Sequence, residues 1–122
     1  MSTKKATLLF VDDEEKVLAT LKRLLMRKQE EWAMIYISEA EKALEIIKTQ
    51  LIDLVVTDLR MPKINGLELA QSVRKNSPNT KILILTAYAG VLPENIMDMI
   101  DGIITKPFNP PELVESLEQH VH

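Results

Sequence analysis

The sequence predicts an α/β domain, a doubly wound parallel sheet of five strands with helices on both faces. Three observations lead there. Compact apolar runs of the buried-strand kind recur as ATLLFV, LVVT and KILILT. Amphipathic stretches separate them. Strand and helix signals alternate five times along the chain, which implies right-handed crossovers between parallel strands. The 122 residues form one domain, residues 1–122, long enough to bury a sizeable core.

The elements follow in order. Ala6–Val11 reads as a fully buried strand. A helix runs from Asp13 to about Lys28, with Val17, Leu18, Leu21, Leu24 and Leu25 on one stripe. Acids at its start and Arg27-Lys28 at its end suit the helix dipole. Trp32–Ile37 is a second strand. Ser38 with Glu41 reads as a capping box opening a helix to about Thr49. The central strand spans Asp53–Thr57 and stops at Asp58. Asn65-Gly66 with Glu68 caps the next helix, whose inward side is Leu67, Ala70 and Val73. Ser77-Pro78-Asn79 is a turn. Lys81–Thr86 is a strand, Pro93 opens a short helix through Met99, and Gly102–Thr105 is the last strand. Asn109, with Pro110 at the first helical position and Glu112 three residues on, caps a final helix bearing Leu113, Leu117 and Val121.

Composition narrows the function classes. Apolar residues make up 46% and charged residues 27%, as in ordinary globular proteins. A net charge of -3 argues against direct nucleic-acid or polybasic membrane binding. With no cysteine, thiol catalysis and cysteine-based metal sites are excluded. No apolar run approaches membrane-spanning length, and Asp12-Asp13-Glu14-Glu15 interrupts the one faintly signal-like start. A cytoplasmic protein is expected. His120 and His122 read as a solvated tail rather than a metal site.

The chemistry sits at strand ends. Asp12 and Asp13 end the first strand, Asp58 the third, Thr86 the fourth and Lys106 the fifth. In a parallel sheet these ends share one edge, where open α/β sheets bind ligands. Singly, each residue has a plainer reading: a helix cap, a turn aspartate, a β-branched strand residue, a surface lysine. Those readings do not predict all of them at strand ends together. Three close carboxylates raise one another's pKa, and a hard dication relieves this. Mg²⁺ takes oxygen ligands at about 2.1 Å and keeps waters, leaving room for a phosphoryl oxygen. Asp58 then serves as a nucleophile on phosphorus, with Thr86 and Lys106 as donors to the phosphoryl oxygens.

These residues, with the DLRMP run around Asp58, Thr86-Ala87 and Lys106-Pro107-Phe108, resemble the receiver domain of two-component response regulators. The resemblance covers nearly the whole chain. It implies the flavodoxin-like strand order 2-1-3-4-5. It also implies that Asp58 takes a phosphoryl group from a histidine kinase or phosphotransfer protein. Asp12, Asp13, Asp58 and the backbone carbonyl of Arg60 would hold Mg²⁺. Thr86 and Lys106 would hold phosphoryl oxygens, Lys106-Pro107 would be a cis peptide, and Arg60 and Tyr88 would tune phosphoaspartate lifetime. The output would lie in a downstream effector or output domain, with the chain a monomer or a phosphorylation-dependent dimer.

Two departures from the family pattern concern the readout. The segment from Thr86 to Lys106 is short for the family. Ile103 also stands where many receivers carry a switch aromatic. Stiff at χ1 and without a hydroxyl, Ile103 is expected to stay largely buried as the partner of Thr86 in the switch. Movement of the loop after Thr86 and of the helix bearing Ile96, Met97 and Met99 would then carry the signal. Two other functions compete. A pseudo-receiver that binds partners without phosphorylation has no need of the complete set of five side chains. An aspartyl hydrolase of the haloacid-dehalogenase kind needs a second acid two residues after the nucleophile, where this chain has Arg60.

Overall fold

The computed structural model describes residues 5–59, 65–87, 92 and 94–121. Five parallel strands lie in the order β2-β1-β3-β4-β5: β1 Ala6–Val11, β2 Trp32–Ile37, β3 Leu54–Asp58, β4 Lys81–Thr86 and β5 Gly102–Thr105. Four α-helices cross between or follow them: α1 Glu15–Leu24, α2 Ala40–Thr49, α3 Gly66–Asn76 and α4 Pro110–His120. A 3-10 helix, Glu94–Asp98, occupies the fourth crossover. Alternation along the strands divides the core. Leu8 and Phe10 of β1, with Leu54 and Val56 of β3, meet α1 and α4. Leu9 and Val11, with Val55, meet α2 and α3 on the other face. No described helix is long and apolar enough to cross a membrane.

The strands read to within one residue of their sequence positions, while several helix ends fall elsewhere. The first helix begins at Glu15, not Asp13, because the Asp12 carboxylate accepts the Glu14 N–H at 2.9 Å and holds Glu14 extended. It ends at Leu24, and a 3-10 turn, Met26–Lys28, follows the buried Leu25. The Ser38 capping box does not form. The helix starts at Ala40, and Glu39 takes the cap position, extended and without a side-chain cap bond. The third strand starts one residue late, at Leu54. Asp53 instead clasps β1: its N–H donates to the Thr7 carbonyl and its carboxylate accepts the Thr7 N–H at 2.7 Å. Asp58 thereby becomes the last strand residue. The Asn65–Glu68 capping box is present, and its placement turns Leu69, Ala70 and Val73 inward while Leu67 stays half-exposed.

Three expectations near the last two strands change. Ile103 is only half-buried, because β5 is an edge strand whose neighbour Ile104 takes the covered face. The residues 94–98 wind as a 3-10 rather than an α-helix, with Ile96 fully buried and Met97 exposed; Pro93 lies outside the described residues. His120 is not a solvated tail. Its ring is half-buried, with Nδ1 2.8 Å from the Ser116 carbonyl and Nε2 3.4 Å from where a Cβ on Gly102 would stand. His122 lies outside the described residues.

Arg74 of α3 holds the far end of the fourth crossover. Its guanidinium donates to the carbonyls of Met99, Pro78 and Thr80 and, at 2.7 Å, to the Asp101 carboxylate. Asp101 also accepts the Ile82 N–H at 2.8 Å. Burial alone would raise the Asp101 pKa, but the Ile82 and Arg74 hydrogen bonds outweigh it and hold the carboxyl below its ordinary 3.8. A depressed folded-state pKa contributes stability above the unfolded value that is lost as pH falls through the folded one. Arg74→Ala is expected to lower stability by about 2–4 kcal/mol, since it strips three carbonyls and a carboxylate of their donor. Urea unfolding at pH 7 measures this. The stability difference between wild type and Asp101→Asn should shrink below about pH 4.

Candidate active site

Strand register assembles the site. Val11 pairs with Thr57, so Asp12 and Asp58 follow side by side, one residue further along β1 and β3. Thr86 pairs with Thr105, so Lys106 follows at the end of β5, and its N–H donates to the Thr86 carbonyl at 2.8 Å. Asp12, Asp58 and Thr86 are all buried, at 1%, 8% and 1% exposure. The Lys106 ammonium donates to Asp12 Oδ2 at 3.1 Å and to Asp58 Oδ2 at 3.4 Å. The Lys106-Pro107 peptide is cis.

Carboxylate oxygens of Asp12, Glu14 and Asp58 lie within 4.8 Å of one another. Glu14 is the member that sequence reasoning missed. Its signal was only its place in the acidic run, where Asp13 was preferred. Asp13 is exposed and is not in that group. Arg60 and Tyr88 lie outside the described residues.

The electrostatics of the pair are asymmetric. Burial pushes the Asp12 carboxyl above its ordinary 3.8; the Glu14 N–H and Lys106 pull it back only in part. Burial would lower Lys106, but the hydrogen bond and charge of Asp12, then those of Asp58, raise it above 10.5. Lys106 thus leaves part of the burial cost of Asp12 uncompensated. Clustered hard oxygens of this kind fit a small dication, and Asp12, Asp58 and an acid at the start of α1 would hold it.

Residues 8–118 match the family model of the response regulator receiver domain. Among curated proteins, the transcriptional regulatory protein YvrH of Bacillus subtilis is 32% identical over 118 residues, covering 95% of this chain and 49% of that protein. The hydrogenase transcriptional regulatory protein HoxA of Cupriavidus necator is 30% identical, covering 99% of this chain and 25% of that protein. The chain therefore spans between a quarter and a half of the length of these relatives. Among solved structures, a CheY-like response regulator receiver domain protein from Methanospirillum hungatei superposes with a TM-score of 0.85 at 26% identity, covering 97% of this chain and 94% of that one. The receiver domain of sensor histidine kinase PA1611 from Pseudomonas aeruginosa, which holds a magnesium ion in its active-site cleft, shares the fold with a TM-score of 0.84 at 20% identity, covering 97% of this chain and 98% of that one.

Removing the ammonium should expose the cost of burying the acids. In Lys106→Met, the Asp12 titration followed by carboxyl ¹³C shift in Mg²⁺-free buffer is expected to move further up. A raised folded-state carboxyl pKa means stability falls as pH rises between the unfolded and folded values. The variant should therefore gain stability on acidification over a wider pH window than wild type. An Asp12 midpoint unchanged from wild type would show that Lys106 does not offset its burial.

Proposed function

Because the chain belongs to the response regulator receiver family of two-component signalling, we propose that it accepts a phosphoryl group on Asp58 from the phosphohistidine of a partner histidine kinase or phosphotransfer protein. The observation that carries this reading is the Lys106 ammonium shared between Asp12 and Asp58 at the carboxyl edge, with buried Thr86 on the strand between β3 and β5. An Asp58 oxygen attacks phosphorus. The O–P bond forms as the P–N bond breaks, and its electron pair returns to the imidazole nitrogen. Lys106 and Thr86 donate to the phosphoryl oxygens, where negative charge is concentrated in the transition state. A bound Mg²⁺ would offset the charge of the carboxylates and add electrostatic stabilisation for the phosphoryl group. Asp12 and Asp58 would hold it with Asp13, as the resemblance implies, or with Glu14, as the grouping of oxygens favours.

In this reading residues 1–122 are one receiver unit working in the cytoplasm, without direct nucleic-acid or membrane contact. Phosphorylation changes its affinity for an effector or output domain. The alternative, a pseudo-receiver that is never phosphorylated, keeps the fold without use for the buried carboxylate pair and its ammonium.

Intact mass after incubation with acetyl phosphate and Mg²⁺ tests the central claim. Wild type should gain one phosphoryl group and Asp58→Asn none. An adduct that persists in Asp58→Asn would refute the assignment, and an unmodified wild type would favour the pseudo-receiver.

Titration calorimetry tests the metal set. Asp13→Ala is expected to lose Mg²⁺ affinity and phosphorylation together. Equal affinity in Asp13→Ala with loss in Glu14→Gln would transfer that position to Glu14.

A further inference from the structure

Two residues approach the backbone that follows Asp58. Thr57, fully buried, donates its hydroxyl to the Asp58 carbonyl at 2.9 Å. The first residue of α3 also comes close. A Cβ on Gly66 would stand 2.6 Å from that same carbonyl oxygen and 2.8 Å from Leu59 Cα. The Gly66 N–H also donates to the Leu59 carbonyl at 2.8 Å. The capping box between Asn65 and Glu68 fixes where this glycine sits.

Packing alone would not select Thr57, whereas the close approach to the Asp58 carbonyl is what selects glycine at position 66 over a better helix former. Thr57 continues the face of Val55, which meets α2 and α3. Valine would fill that place without the cost of burying a hydroxyl. Alanine would start α3 with better helix propensity than glycine. Both residues instead serve the Asp58–Leu59 peptide, whose plane sets the Asp58 backbone and with it the direction of the carboxylate. A nucleophile displaced by about 1 Å loses on the order of a hundredfold in rate.

We propose that Thr57 and Gly66 are positioning residues for Asp58, a two-part clamp on the backbone after it: Thr57 bonds the Asp58 carbonyl, and Gly66 bonds the Leu59 carbonyl while leaving room for the Asp58 one, which together aim the carboxylate at the incoming phosphorus. The proposal rests on the reading of Asp58 as phosphoacceptor and adds two residues to it.

The test times phosphorylation by acetyl phosphate with Mg²⁺ in wild type, Thr57→Val, Thr57→Ser and Gly66→Ala, with circular dichroism and Tm to confirm folding. Thr57→Val is expected to be folded yet slower by about tenfold or more, and Thr57→Ser, which keeps the hydroxyl, within about threefold of wild type. Gly66→Ala should be slower still. The ¹³C shift of the Asp58 carboxyl gives a second readout that needs no phosphorylation. It is expected to move in Thr57→Val and to stay in Thr57→Ser. A folded Thr57→Val with wild-type rate, or with an unmoved carboxyl shift, overturns the clamp. A wild type that takes no phosphoryl group, or an Asp58→Asn that takes one, removes the phosphoacceptor reading instead, and the carboxyl shift then decides the clamp alone.

Discussion

Two carboxylates are buried side by side at the carboxyl edge of this sheet, and the ammonium of Lys106 makes that arrangement tolerable. Burying an ionised carboxylate is costly unless it is paired and hydrogen-bonded. Lys106 reaches Asp12 on β1 and Asp58 on β3 from the end of β5, across β4. Its backbone is fastened to Thr86 in the intervening strand. The ion pair therefore closes the edge of the sheet as well as the site. It does so incompletely, since Asp12 remains harder to ionise than an exposed aspartate. A small dication would complete that compensation.

The rest of the fold serves this edge. Parallel pairing brings every strand end to the same side, and register puts Asp12 beside Asp58 without any loop having to position them. The helices on the two faces supply burial, and α3 does more. Its first residue presses against the peptide after Asp58, while Arg74 near its last turn ties down Met99 and Asp101 at the opposite edge. One helix thus lies against the peptide after Asp58 at one end and braces the fourth crossover at the other. The short 3-10 helix of that crossover is anchored by fully buried Ile96 and leaves Met97 exposed.

The sequence by itself determined the alternation of elements, the parallel sheet and the strand-end residues, because short apolar runs of four to six residues, bounded by turn signals and separated by amphipathic stretches, are best satisfied as strands. Ala6–Val11, Trp32–Ile37, Lys81–Thr86 and Gly102–Thr105 are legible to the residue for that reason. Asn109 and Asn65 were legible as caps because their partners lie three residues away, within one local motif. The structure decided the exact ends of elements, which depend on hydrogen bonds, distant or local, that apolar periodicity does not record. Asp53 looked like the start of a strand until Thr7 claimed its carboxylate. Asp13 looked like the helix start until Asp12 held Glu14 extended. Ser38 looked like a cap, but the helix starts one residue later and Glu39 takes that position. The same limit governs the site. That Asp12, Asp58, Thr86 and Lys106 belong together follows from their order along the chain. That Glu14 lies with the carboxylates, and that Thr57 and Gly66 grip the peptide after Asp58, follows only from three-dimensional distances, because no local pattern records where a carbonyl oxygen will point.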